Sequence, residues 1–232
     1  MEGFGFQVEV KRTDRKKSAS IALVGTLVKI SVPKDLPDSL IRDLIIKRSS
    51  WIKKKLREQS LRPTFKPKKY VNGETVHYLG GDYCLQVVTG DQASIQIVDR
   101  YLIVTVLHCE KDEEQRVKLL LEGWYQGQAF LKLKERTESF TKIIGVTPKS
   151  VKVKNYKSRW GSCSISGEIT YNWRIVLAPH RVIDYVVVHE LCHLLEHNHS
   201  ARYWRHVEQY APDWKICRKW LKHHQQMLGI GN

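Results

Sequence analysis

The sequence has no apolar run of about 20 residues, the length that a membrane-spanning helix needs. Its first residues, 1–7, lack the basic stretch and apolar run of a secretory signal. The 5 cysteines are odd in number and show no C-x-x-C spacing, which argues against a disulfide framework and against a four-cysteine zinc site. Together these absences predict a cytoplasmic protein that does not act at a membrane.

Acidic residues are scarce relative to basic ones. The 39 lysines and arginines outnumber the 24 aspartates and glutamates, which gives a formal net charge of +15. A field of this sign attracts polyanions, so nucleic acid, nucleotides and acidic proteins are the partners that the charge suggests. The lysines are spread from Lys11 to Lys222, however, and a solvated surface rich in lysine explains the excess almost as well.

The 232 residues are enough for one large domain or two small ones. Hydrophobic patterning predicts an α+β fold, with an N-terminal mixed α/β region of antiparallel strands over 1–145 and a second domain over 146–232. The proline- and lysine-rich segment 62–73 is the predicted linker. The elements predicted for the first region are strands at 6–10, 20–24 and 27–32, a helix from 37–39 to 56, a β-meander of strands at 74–79, 83–89, 94–98 and 102–106, and a helix over 112–144.

The second domain is predicted to contain a short sheet and a buried helix. Strands are expected at 150–154, after 158–163 and at 168–177, and further helices at 200–210 and 212–228. Between them, Pro179 suits the first turn of a helix that continues to residue 195. Because this helix is apolar nearly all round, we expect it at the centre of the domain.

The buried helix carries the sequence H-E-x-x-H at His189, Glu190 and His193. Positions i and i+4 of a helix lie on one face, one turn apart, so both imidazoles can reach the same metal ion. Glu190 projects beside them, where a carboxylate can take the proton of a metal-bound water. The bare pattern also occurs by chance, but buried polar groups need partners, and coordination provides them. The sequence therefore predicts a site for zinc or another divalent metal.

A third ligand is expected beyond the helix, because a catalytic zinc site has three protein ligands and one open position. His197 would lie about 12 Å along the axis from His189 if the helix continued, too far for both to bind one ion. His199 follows Asn198, a residue that tolerates the left-handed turn at a helix end, so the chain can fold back toward the metal. We therefore expect His199 as the third ligand. The alternatives on the following helix are His206 and Glu208.

A hydrolytic transition state also needs a donor for its developing oxyanion. The candidate donors are Arg159, Arg174, Tyr203 and His206. For Arg174, a salt bridge that holds strand to helix is an equally good explanation. We expect Cys192 to pack on a different face of the helix from His193. Cys163 has no base assigned to it, which weakens the hypothesis of a cysteine hydrolase.

With these residues assembled, the chain resembles the YgjP-like metallopeptidase family, relatives of the WLM and SprT-like zincins. The matching stretches are 158–163 (SRWGSC), 171–174 (YNWR) with 177–179 (LAP), 189–193 through 198–200 to 203–204, and the basic stretch 15–17. The resemblance implies a zincin-like catalytic domain over 146–232, with zinc at His189, His193 and His199 and Glu190 as the general base. A metzincin also has its third histidine at this offset, but it places glycine where this chain has Glu196.

Three hypotheses about function follow. The leading one is a zinc-dependent hydrolase of metallopeptidase type, which aligns a polypeptide along an edge strand, either 168–177 or the strand at Trp160. The second is a nucleoside triphosphate pyrophosphohydrolase, because activity on UTP has been ascribed to the family; the basic residues suit it, but there is no Gly-rich phosphate loop. The third is a nucleic-acid-associated protein, either a SprT-like protease or a binding module with a structural zinc. The absence of a fourth protein ligand at suitable spacing argues against the module.

Overall fold

The computed structural model describes residues 3–15, 18–60, 68–108 and 112–229. The chain divides into two compact units, Met1–Thr64 and Phe65–Asn232. Half of the predicted linker, 62–67 of 62–73, lies outside the described residues, as do Lys16 and Lys17 of the basic stretch. A functional division at residue 145 stays a prediction.

The first unit is a small sheet with one helix. Its elements are β1 (Gln7–Thr13), β2 (Ser20–Val24), β3 (Leu27–Pro33) and α1 (Asp38–Ser60). Strand β3 is central: it runs parallel to β1 and antiparallel to β2, so the region is not purely antiparallel. Every second residue of β3 is buried, as an amphipathic strand requires. These residues form a core with the inner face of α1, composed of Val28, Ile30, Val32, Ile41, Ile45 and Ile52.

The second unit begins with a four-stranded sheet. Its strands are β4 (Thr75–Tyr78), β5 (Gly81–Gly90), β6 (Ser94–Val98) and β7 (Tyr101–Leu107), in the order β4-β5-β7-β6. The predicted β-meander is therefore wrong, because β7 inserts between β5 and β6 and runs parallel to β5. The physical reason is burial: Leu102, Val104 and Val106 are all buried, whereas Ile97 and Val98 of β6 are exposed, so β7 takes the interior position and β6 the edge.

A long helix and a second short sheet follow. These elements are α2 (Glu113–Ile144), β8 (Ser150–Lys154), β9 (Gly161–Cys163) and β10 (Glu168–Asn172). In the sheet, β10 lies between β8, to which it is parallel, and β9, to which it is antiparallel. The strand predicted over 168–177 ends at Asn172 and continues as a 3₁₀ helix, Trp173–Leu177. The side chain of Asn172 causes this change, because its oxygen accepts a hydrogen bond from the backbone N–H of Arg174 at 3.2 Å.

Three helices complete the chain: α3 (His180–Cys192), α4 (Ala201–Tyr210) and α5 (Trp214–His224). Helix α3 is buried nearly all round, as predicted, and packs against α2, the 3₁₀ helix, α4 and α5. Arg136 of α2 donates two hydrogen bonds, at 2.6 and 3.0 Å, to Asp184 of α3. The α+β class and the buried helix are thus confirmed, and no helix in the described ranges is long and apolar enough to cross a membrane.

Candidate metal centre

The H-E-x-x-H sequence lies where α3 ends. His189 and Glu190 belong to the last turn of α3, and His193 is the residue that caps it. The backbone then tightens, because the N–H groups of residues 193–195 bond to carbonyls three residues back. The expected left-handed conformation of Asn198 is wrong, since its φ is not positive; this tightened turn reverses the chain instead. His199 follows the reversal, directly before the N-cap of α4.

Three imidazoles converge at this turn. Their ligand nitrogens all lie within 4.8 Å of one another, and the Nε2 atoms of His189 and His199 are 3.3 Å apart. Two nitrogens on a tetrahedral ion, with bonds of about 2.0–2.1 Å, are separated by about 3.3–3.4 Å. A hydrogen bond can join only two of the three rings, whereas one metal ion accounts for all three. The donor set therefore fits a tetrahedral, nitrogen-preferring metal such as zinc.

The imidazoles are also in the protonation state that a metal needs. Burial, with smaller contributions from His193, His199 and Arg218, lowers the pKa of His189 to about 3. Burial likewise lowers the pKa of His193 and of His199. Neutral rings offer the lone pairs that coordination requires, so little or no proton release is needed before a metal binds.

Hydrogen bonds and ring packing hold the three imidazoles in place. Nδ1 of His193 donates to the carbonyl of Glu196 at 3.3 Å, which leaves its Nε2 as the free ligand atom. Tyr203 of α4 is fully buried: its ring stacks on His193 at 4.6 Å, and its hydroxyl donates to the carbonyl of His189 at 2.9 Å. Trp204 stacks on His199 at 5.6 Å. Helix α4 therefore supports all three rings through its first turns.

Glu190 is buried beside the cluster, with 4% of its surface exposed. Burial raises the pKa of its carboxyl group to about 8, and the positive charge of Arg159 opposes this shift. Gly161 of β9 lies directly against it: a Cβ added at this glycine would be 2.5 Å from Oε1 of Glu190. Only a glycine leaves room for the carboxylate here. A carboxyl group with a pKa near neutrality can both accept and return a proton.

A cleft of about 480 Å³ opens beside His189 and Glu190. The residues that line it include Arg159 and Gly161, and also Arg218 and Lys222 of α5. The two cations of α5 were not anticipated from the sequence. The sequence does show that Arg218 and Lys222 are four residues apart and that each follows an apolar residue of an amphipathic helix. It does not show which element α5 packs against, so it could not place these two cations beside Glu190.

The predicted oxyanion donors are distributed unevenly. Arg159 lies in the cleft with Glu190, whereas the hydroxyl of Tyr203 is engaged by the carbonyl of His189. Arg174 lines a different cavity, where it hydrogen-bonds to Asn155 and lies 4.4 Å from the ring of Trp173. The salt bridge considered for Arg174 is not found among the ion pairs of the described residues.

The other predicted residues lie apart from the three histidines. His206 is half-buried on α4 and is not part of the cluster, and Glu208 is exposed and pairs with Lys215 at 3.5 Å.

Burial raises the pKa of the Cys192 thiol to about 12. The pKa of the Cys163 thiol is raised to about 11, mainly by burial and to a smaller extent by the charge of Glu190. Both thiols are therefore protonated near neutral pH, which argues against a cysteine nucleophile.

Comparison with known proteins places the chain in a family. Two solved structures are similar to part of this chain. The metallopeptidase zymogen of Pyrococcus abyssi abylysin has 22% identity and a TM-score of 0.37, and the match covers 43% of this chain and 97% of that one. The metallopeptidase zymogen of Methanocaldococcus jannaschii jannalysin has 18% identity and a TM-score of 0.35, and the match covers 41% of this chain and 96% of that one. These scores carry no argument about fold or function. No curated protein matches the chain significantly. The family model for the YgjP-like metallopeptidase domain, however, matches residues 17–224, and the chain therefore belongs to the YgjP-like metallopeptidase family.

Proposed function

We propose that this protein is a zinc-dependent metallopeptidase whose metal is bound by His189, His193 and His199. The convergence of three ring nitrogens within 4.8 Å of one another is the observation that carries the proposal. Membership of a metallopeptidase domain family independently supports a metal-dependent hydrolase that acts on polypeptides. Zinc is favoured over other divalent metals because it accepts imidazole nitrogens in a tetrahedral arrangement and leaves a fourth position open.

Glu190 is the general base in this proposal. When bound, the metal supplies a Lewis acid that polarises the substrate carbonyl and lowers the pKa of water. The Glu190 carboxylate accepts one proton of the attacking water at Oε1 or Oε2, and its raised pKa lets it hold that proton before returning it to the leaving amine. Arg159 lines the same cleft, and its charge acts on this carboxylate, so it is the candidate for stabilising the oxyanion.

The short strand β9 is the candidate for aligning the substrate. In its sheet, β10 is paired on both sides, whereas β9 pairs with β10 alone among the described strands. An extended peptide can add to such an edge through main-chain hydrogen bonds. Gly161 of β9 also lies against Glu190, so a peptide at this edge would pass close to the general base. Of the two strands considered from the sequence, this favours the one at Trp160.

The other two hypotheses have less support. The family model names a metallopeptidase domain and gives no support to a nucleotide hydrolase. A nucleic-acid-associated protease or binding module rests on the net charge of +15 alone. The test below distinguishes each of them from the peptidase.

The test compares the zinc-loaded parent with Glu190→Gln on casein, UTP and a protein crosslinked to DNA. Glu208→Gln is the matched control, because it makes the same change at an exposed glutamate that pairs only with Lys215 among the ion pairs of the described residues. We expect Glu190→Gln to retain zinc and lose casein cleavage, and Glu208→Gln to retain both. Equal cleavage by the parent and Glu190→Gln refutes the catalytic role. Loss confined to UTP hydrolysis replaces the peptidase with the nucleotide hydrolase.

A further inference from the structure

The cleft beside the metal centre is lined by three cations. Arg159 precedes β9, and Arg218 and Lys222 lie one turn apart on α5. Among the described residues that line this cleft, Glu190 is the single carboxylate. The charge of Arg159 acts on the carboxyl group of Glu190, whereas Arg218 and Lys222 make no ion pair with it among the described residues.

None of these cations is neutralised by an ion pair in the described part of the chain. Lys215, on the same helix α5, shows the contrast, because it pairs with Glu208 at 3.5 Å. Aromatic faces hold the two guanidinium groups instead: Arg218 lies 5.3 Å from the ring centre of Trp204, and Arg159 lies 5.6 Å from that of Tyr156. A cation–π contact orients a guanidinium group but leaves its charge and most of its N–H donors available.

Unpaired cations in a cleft concentrate a positive potential there, and a bound metal ion adds to it. The three cations are exposed, and the cleft therefore attracts an anion from solution. The guanidinium fork of Arg218 suits a carboxylate, which can accept two parallel hydrogen bonds, and Lys222 adds a point charge one turn away. A polypeptide carries carboxylates in two places, on its acidic side chains and at its C-terminus.

We propose that Arg218 and Lys222 form a subsite for a carboxylate of the polypeptide substrate close to the scissile bond. This inference rests on the proposed peptidase function and goes beyond it, because it names the substrate class: peptides with an aspartate, a glutamate or a free C-terminus beside the cleaved bond. Neutral and basic peptides are poorer substrates, since they leave Arg218 and Lys222 without a partner.

The experiment uses one peptide sequence in matched pairs. In the first arm, a single residue near the cleaved bond is either Glu or Gln; in the second, the C-terminus is either a free acid or an amide. The full-length zinc-loaded protein is assayed for kcat/KM on each pair. Binding is measured in parallel by calorimetry with zinc-loaded Glu190→Gln, so that the subsite is tested even where no cleavage occurs.

The variants are Arg218→Gln and Lys222→Gln, with Lys219→Gln as the control. Lys219 is an exposed lysine of α5 that does not line the cleft, so the control removes the same charge from the same helix. We expect the parent to prefer the acidic member of at least one pair by about tenfold or more, as a charge-assisted hydrogen bond provides. Arg218→Gln and Lys222→Gln should each reduce this ratio toward one, and Lys219→Gln should leave it unchanged.

The arm that shows the preference identifies the source of the carboxylate. Ratios within about twofold of one in both arms, for cleavage and for binding, overturn the subsite. An equal loss of preference in Lys219→Gln overturns it as well, because the effect would then come from the general field of the protein. Tight binding of inorganic phosphate without any preference for acidic peptides also overturns it. Failure of the peptidase function itself looks different: no peptide is cleaved in a Glu190-dependent manner, whatever its charge.

Discussion

Replacement of Gly161 by alanine should impair catalysis without removing the metal. A Cβ at this position would lie 2.5 Å from Oε1 of Glu190 and 2.8 Å from its Cδ and Cγ. Ordinary contacts begin at 3.4 Å, so the carboxylate must move by the difference, about 0.9 Å. Helix α3 cannot retreat as a whole, because buried contacts surround it, and the side chain of Glu190 must therefore absorb the movement.

A misplacement of about 1 Å in a catalytic group lowers the rate by about 100-fold. We expect kcat of Gly161→Ala to fall by roughly this factor, with KM changed little. Every nearest neighbour of the added Cβ belongs to Glu190, so the three histidines and the zinc content should be unaffected. Overpacking of this kind should lower the free energy of unfolding by about 1–3 kcal/mol.

Gly127→Ala in α2 is the matched control. A Cβ there meets no heavy atom within 4 Å, so kcat should be unchanged and the free energy of unfolding should rise by about 0.5–1 kcal/mol. The measurements are kcat and KM on a fluorogenic peptide, zinc by mass spectrometry and stability by urea unfolding. If folded, zinc-loaded Gly161→Ala keeps kcat within about threefold of the parent, placement of Glu190 by Gly161 does not limit catalysis. Loss of zinc together with activity also contradicts the reasoning, because it locates the damage in the ligands.

Three further substitutions test the metal centre and the packing around it. His199→Ala should weaken zinc affinity by more than about 100-fold in competition with a chelator, whereas His197→Ala, at an exposed position outside the cluster, should not change it. Arg136→Ala removes both hydrogen bonds to Asp184, and because each side chain is 29% exposed we expect a loss of about 1–3 kcal/mol in urea unfolding. Gly80→Ala should lower the free energy of unfolding by about 1–3 kcal/mol in the same assay. Gly80 has a φ of +84°, and an added Cβ would lie 3.0 Å from the backbone of Pro179, directly before α3. Unchanged stability contradicts this reasoning.

The sequence predicted the parts of the fold that depend on local periodicity. The strands and helices are present near their predicted positions, and the apolar helix that carries H-E-x-x-H is buried as expected. The end of α2 also depends on a local feature: Gly145 adopts the left-handed conformation that ends a helix, with a φ of 78°. The pairing of β7 with β5 was not predictable in this way, since it depends on which strand offers the better buried face to α2.

The candidate metal centre likewise has features that local sequence predicts and features that depend on tertiary packing. Helical geometry alone places His189 and His193 on one face with Glu190 beside them, because positions four apart in a helix are fixed neighbours. The sequence also favoured His199, although the conformation expected for Asn198 was wrong and the chain reverses by another route. The contacts of Tyr203 with His193 and with the carbonyl of His189 join separate helices, so no local pattern predicts them.

Only the tertiary structure revealed what surrounds the metal centre. The close approach of Gly161 to Glu190 and the presence of Arg218 in the same cleft join residues from β9, α3 and α5. Such contacts depend on how the elements pack and not on spacing along the chain, so no local pattern specifies them. The sequence by itself determined that His189 and His193 share one face of a helix with Glu190 beside them, because a helix fixes the distance between its own residues. The tertiary structure decided the surroundings of Glu190 and the charge of the cleft, because those depend on side chains that meet only after the helices and strands have packed together.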